Sequence, residues 1–339
     1  LAAWRRLARK AEPAAPAAVA EIFRALGALG ESPRSELQAV ADVVGLGALP
    51  SRAAHADLFV LQLYPYASVY LGAEGMMGGE AADRIAGFWR ALGQTPPAQP
   101  DHLALLLGFH ARLAEMEEEA APGAGGAGEG SEGAGGGEAG GGGPRGGGQQ
   151  PRWRHVREAF FWEHLMSWLP LFLAKLESLE GGDADPFYLR WGALLRAALR
   201  EEAAALRPTT PGAWLPLHLR EAPEMADPRR DGAAPFVRAL LSPVRSGMIL
   251  TRADMARAAR ALGLAPRPVE RRAALETLLE QDAAAALGWL ATEATIWTAR
   301  HRLEIHGALA PLALFWQSRA AAAADLLQSL AADQRAAPG

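Results

Sequence analysis

Between Trp153 and Phe172 the large side chains recur three and four positions apart. Trp153, Val156, Phe160, Phe161, His164, Leu165, Trp168, Leu169 and Phe172 share one face only if the segment is helical. A strand would alternate with a period of two, and alternating runs of Val, Ile and Thr are nearly absent from the chain. Ala, Leu, Glu and Arg dominate instead, all of which favour helix. Hydrophobic residues make up 50%, enough to bury a sizeable core. The expected fold is all-α, a bundle of long amphipathic helices.

Glycine interrupts that pattern at one place. Of 37 glycines, 16 fall between Gly123 and Gly148, in a stretch without aromatic residues or apolar periodicity. Such a segment cannot bury enough surface to offset the entropy of ordering it, so it reads as a disordered linker. No GK[ST] follows and no strand precedes it, which argues against a phosphate loop. A coil of about 30 residues spans roughly 30 Å, enough to join neighbouring helices or to let two halves exchange between chains. The resulting division is a helical half at 14–118, the linker at 119–150, a second half at 151–210 and a further helical module at 235–331.

Local signals set the helix boundaries. Ser32-Pro33 suits a helix start, with Leu37, Val40, Val43 and Val44 on one face. Ala54 to Leu63 ends before Pro65, and Glu80 to Leu92 ends at Gly93. Asp101 opens a helix with Leu103, Leu106, Leu107, His110 and Leu113 inward. Pro170 is expected to kink the helix that begins near Trp153. Asp185-Pro186 opens another that runs to about Leu206. Beyond a Pro-rich stretch, Thr251 to Leu262, Val269 to Leu279, Asp282 to His306 and Leu312 to Ala331 read as helices. Thr251 and Asp254 have the spacing of a capping box.

Signals for catalysis are sparse. Cysteine is absent, which excludes disulfides, thiolate metal sites and cysteine nucleophiles. The eight histidines have no HExxH spacing, and no GxSxG elbow, Walker A or GxGxxG occurs. His110 and His164 lie on apolar stripes and read as core histidines. The expectation is a protein without enzymatic turnover or cofactor. A net charge of -4 argues against a nucleic-acid partner. One segment points the other way: 251–279 is similar to a helix-turn-helix, with Gly263 in the turn and Arg267, Arg271 and Arg272 on the second helix. Pro266 and Pro268 crowd that turn, and base-reading Ser, Asn and Gln are missing, so two packed helices are the preferred reading. Arg5-Arg6 superficially looks like an export signal, but Pro13 and Pro16 follow in place of an apolar stretch, so an amphipathic or frayed N-terminal helix is expected. Phe160 to Leu173 and Gly307 to Trp316 are too short to span a bilayer, so membrane insertion is not expected and the protein is assigned to the cytoplasm.

Taken in order, LFVLQLYPYASVYLGAEGMMGG (Leu58 to Gly79), IAGFWRALG (Ile85 to Gly93), PDHLALLLGF (Pro100 to Phe109), FFWEHLMSWLPLFLAKL (Phe160 to Leu176) and DPFYLRWGALL (Asp185 to Leu195) resemble the TorD/DmsD/NarJ family of redox-enzyme maturation chaperones. The resemblance covers about half the chain, and the Pro-Asp-His run is its most specific element. It implies a TorD-like helical bundle carrying the Gly-rich insert and a C-terminal extension. It also implies a cytoplasmic chaperone whose partners are the twin-arginine signal peptide and the apo-form of a molybdopterin oxidoreductase. The protein would be a monomer or a domain-swapped dimer.

A twin-arginine peptide presents guanidinium groups followed by an apolar segment, so its receptor needs carboxylates beside an aromatic groove. On the resemblance, Asp101 is the first candidate carboxylate and Glu74 the second. Pro100 fixes the backbone and His102 contacts the peptide or orients a neighbour. Tyr64, Tyr66, Tyr70 and Trp89 wall the groove, and Met76 and Met77 adapt to the ligand. Other readings stay open: Asp101 as a helix N-cap, Tyr70 and Trp89 as core, and Met76-Met77 as a buried loop contact. The family often shows Glu-Pro-x-Asp-His, whereas Ala98-Gln99-Pro100-Asp101-His102 lacks the acid and so one arginine partner.

Overall fold

The computed structural model describes residues 16–121, 149–179, 184–207, 215–265, 270–303 and 307–336. Among them are seventeen α-helices and no strand. The N-terminal amphipathic helix and nearly all of the Gly-rich linker fall outside the described residues.

The first six helices are α1 (Pro16–Leu29), α2 (Gln38–Val43), α3 (Arg52–Ala56), α4 (Ala67–Leu71), α5 (Gly79–Ala91) and α6 (Leu103–Glu119). Next come α7 (Gln149–Phe160), α8 (Leu169–Glu177) and α9 (Pro186–Ala205). The short α10 (Leu217–Arg220), α11 (Pro228–Asp231), α12 (Ala233–Leu241) and α13 (Pro243–Ser246) lead to α14 (Arg252–Leu262), α15 (Arg271–Gln281), α16 (Ala283–Arg302) and α17 (Ala310–Ala336). Helices α1 and α6 pack along their length, as do α16 and α17. Buried apolar residues from Val19 to Ala331 form one continuous cluster.

Aromatic side chains organise its centre. Phe59 packs edge-on against Tyr188 and Trp191, and Tyr70 stacks on Trp168 at 5.1 Å. Two of the buried indoles donate to backbone carbonyls: Trp191 to that of Leu26 at 3.0 Å and Trp168 to that of His164 at 3.0 Å. His110 is a core histidine, fully buried with Nε2 2.7 Å from Glu202 Oε1. Arg157 lies between Glu202 and Glu117, tying α7 to α6 and α9. Helices α6 and α7 run antiparallel, His110 facing Phe161 while Glu117 faces Arg154 and Arg157.

Several boundaries depart from expectation for identifiable reasons. Ser32-Pro33 starts no helix; a 3₁₀ turn at Ser35–Leu37 leads into α2, and Val43 is exposed because Ala41 turns inward. The helix after Trp153 breaks instead of kinking. It ends in a π-helical turn, Phe161–Leu165, and Pro170 takes the first turn of a new helix, where its missing N–H is no loss. Thr251 and Asp254 form the full capping box, and Gly263 closes α14 in the left-handed region.

The C-terminal helices are fastened to the rest by buried polar contacts. Lys175 on α8 pairs with Asp254 on α14 at 2.7 Å, both nearly inaccessible. Gln62 accepts the Ala253 N–H at 3.0 Å. Gly247 has φ 69°, and a Cβ there would lie 2.2 Å from the Ala320 backbone nitrogen, so α17 can approach only a glycine.

Candidate functional site

The segments 65–68 and 99–103 clasp each other. Ala67 N–H donates to the Asp101 carbonyl at 3.0 Å and Leu103 N–H to that of Pro65 at 2.8 Å. Pro100 is buried at the join. Asp101 is 3% exposed, and its carboxylate accepts the Ser68 N–H at 3.1 Å together with the Ser68 hydroxyl. It therefore caps α4, not its own helix, whose N-cap is His102: Nδ1 accepts the Ala104 N–H at 3.3 Å. Burial holds the His102 pKa below the usual imidazole range, keeping that nitrogen free to accept. Tyr66 donates to Gln99 Oε1 at 3.0 Å and sets its ring edge-on to His102.

Ser68 extends the clasp further. Its hydroxyl donates to Asp101 and accepts the Gly78 N–H at 3.0 Å. Gly78 ends the α4–α5 loop, which carries Glu74, Met76 and Met77. Contacts from the C-terminal helices hold the loop from behind. Ser242 Oγ donates to the Gly72 carbonyl at 2.9 Å, and Arg245 Nε donates to that of Ala73 at 2.8 Å. A Cβ on Gly75 would lie 2.6 Å from the Leu241 carbonyl oxygen.

This loop forms one wall of a groove of about 430 Å³ whose other wall is the α10 stretch, with His218, Glu221 and Pro223. Met76 and Met77 are 69% and 58% exposed, so they line the groove and are not buried loop contacts. Glu74 is exposed and pairs with Arg238 at 3.4 Å. Arg84 donates to Glu80 at 2.6 Å and also to Glu221, joining the two walls. Hydrogen bonding to Arg84 holds the Glu80 carboxyl below the usual carboxylate range. His218 faces His164 at 5.7 Å between ring centres. Burial pushes both imidazoles down: His164 to about 3, aided by His218, and His218 to about 4, aided by Arg84.

The anticipated aromatic wall does not assemble here. Tyr70 is a core residue: it is 2% exposed, stacked on Trp168, and donates to the Tyr64 carbonyl at 2.8 Å. Tyr64 is half-buried against the core. Trp89 stacks on Phe109 at 3.8 Å in a separate apolar groove of about 390 Å³ along α6. The anticipated residues thus divide among the clasp (Tyr66, Pro100, Asp101, His102), the acidic groove (Glu74, Met76, Met77), the α6 groove (Trp89) and the core (Tyr64, Tyr70). Sequence reasoning missed Glu80, Arg84, His218 and Glu221. The i,i+4 spacing of Glu80 and Arg84 is a local signal of their pairing, but nothing local announces Glu221, 137 positions further on.

Among the described residues, no group of three or more His, Asp or Glu could hold a metal ion, and no helix is long and apolar enough to cross a membrane. The helix-turn-helix reading of 251–279 finds no support. Arg271 turns inward and donates to the Leu250 carbonyl at 3.1 Å, while Arg272 pairs with Glu276 at 2.9 Å. Arg267 lies outside the described residues. Residues 12–174 match the model of a family described as the nitrate reductase delta subunit. No curated protein and no solved structure matches the chain.

Proposed function

We propose, from the match of residues 12–174 to the nitrate reductase delta subunit family of NarJ/TorD-like chaperones, that the protein is a maturation chaperone for a molybdenum-cofactor oxidoreductase. It binds the twin-arginine signal peptide of the apo-enzyme in the cytoplasm and holds the precursor back from export until the cofactor is inserted. Its work is binding, not turnover. The family match is the observation that carries this reading, and the acidic groove gives it a physical basis. Arginine side chains seek carboxylates in forked geometry, and Glu74, Glu80 and Glu221 line one groove. The apolar part of a leader needs contacts that adapt to its sequence, and Met76 and Met77 supply unbranched, polarizable ones. Asp101, Pro100 and His102 act one step back, through Ser68 and Gly78, by fixing the loop that bears Glu74. Tyr66 braces the clasp, and Trp89 offers a second apolar contact along α6.

The test is co-purification of the full chain with an oxidoreductase precursor, carried out with the leader intact, with its two arginines changed to lysine, and with the leader removed. Capture that falls with the lysine change supports the reading. Equal capture without the leader moves the interaction to the enzyme body, and no capture of any form refutes it.

A further inference from the structure

The groove already contains a guanidinium. Arg84 reaches from α5 between Glu80 and Glu221, two carboxylates far apart in the chain, and among the described residues that line the groove it is the one Arg or Lys. Glu74 is paired with Arg238, which does not line the groove, so the three lining carboxylates face two guanidiniums and keep a small acidic surplus. The floor adds His218, 7% exposed and lining the groove, with no hydrogen bond among the described residues; its ring meets that of His164 and lies in the field of the surrounding charges. A neutral imidazole offers one donor and one acceptor, the complement of a peptide amide. The exposed Met76 and Met77 stand beside this floor with no partner of their own to cover them.

We infer that Arg84 is an internal placeholder, its guanidinium holding the Glu80–Glu221 carboxylate pair that an arginine of the bound segment takes over on docking. The occupant is an extended segment with arginine followed by flexible or apolar residues, its backbone against His218 and its apolar side chains against Met76 and Met77. The inference rests on the reading of the protein as a binder of arginine-bearing leaders. It adds that the free groove is self-occupied, and incompletely: Arg84 reaches both carboxylates through Nη2 alone, and its buried Nη1 has no hydrogen-bond partner among the described residues, so an incoming guanidinium that engages the pair through both nitrogens displaces it. Once displaced, Arg84 is free to turn to solvent, since its side chain is 27% exposed.

The test is titration of a labelled twin-arginine leader peptide into the full chain, comparing the native protein with Arg84→Met and with Glu80→Gln/Glu221→Gln. Methionine keeps the packing of the arginine stem while removing the competitor. Partly exposed ion pairs are modest in strength, so Arg84→Met is expected to tighten binding about two- to fivefold. The double glutamine variant is expected to weaken binding by about fivefold or more. Unchanged or weaker binding by Arg84→Met, or undiminished binding by the double variant, overturns the placeholder while leaving leader recognition standing. Absence of binding by every form, each shown to be folded by its melting transition, overturns both.

Discussion

At the scale of single residues, the difference between Asp101 and Glu74 shows how position decides role. Both are acids near the clasp, but Asp101 is enclosed with its carboxylate on Ser68, while Glu74 is exposed at the groove. Asp101→Ala leaves the Ser68 N–H unpaired and uncaps α4. A loss of about 2–3 kcal/mol is expected in denaturant unfolding, with Ser68→Ala losing less. Leader binding should fall in both variants, since Ser68→Ala removes the acceptor of the Gly78 N–H and Asp101→Ala removes the carboxylate that orients that acceptor. The histidine pair gives a pH dependence. His164 and His218 are held neutral with pKa values of about 3 and about 4, so the unfolded chain takes up protons that the folded chain does not across the interval up to about 6.5. Stability is therefore full above about pH 6.5 and declines as pH falls toward 4, by up to about 1.4 kcal/mol per unit for each histidine. Melting temperatures recorded between pH 7 and 5 should fall, and His218→Asn should flatten the decline.

At the scale of elements, legibility followed the range of the interaction. The Thr251–Asp254 box and the Asp185–Pro186 start are written within four residues, and both stand as read. Asp101 looked like the cap of its own helix because sequence shows neighbours only. Its carboxylate is instead taken by Ser68, 33 positions earlier, and His102 caps in its place. Pro170 was legible as a disturbance but not as a break, since that depends on the π-helical turn before it. The acidic groove was unreadable because its walls come from stretches more than a hundred residues apart and meet only once the C-terminal helices clamp the loop. The join between α8 and α14 is a matching case. Lys175→Met leaves Asp254 buried with only Arg257 to balance it, and a loss of about 3 kcal/mol is expected in chemical unfolding. Loss of less than about 1 kcal/mol would mean that the pair contributes little to holding the C-terminal helices.

At the scale of the whole molecule, one continuous core joins helices on both sides of the Gly-rich insert. The ends of α6 and α7 already meet through Glu117, Arg154 and Arg157, so the chain between them has little left to determine. Deleting Gly123 to Gly148 leaves a connection of ordinary length for two antiparallel helices. The deletion should preserve both the melting transition and leader binding, and loss of either would give the insert a part in the fold or the site. The proposed function is that of a chaperone recognising an arginine-bearing leader. Calorimetric titration of a twin-arginine leader peptide into the full chain, beside the same peptide with both arginines changed to lysine, tests it most directly. Saturable one-to-one binding that weakens markedly with lysine is expected. Equal affinity for the two peptides, or no heat of binding from either, would contradict it.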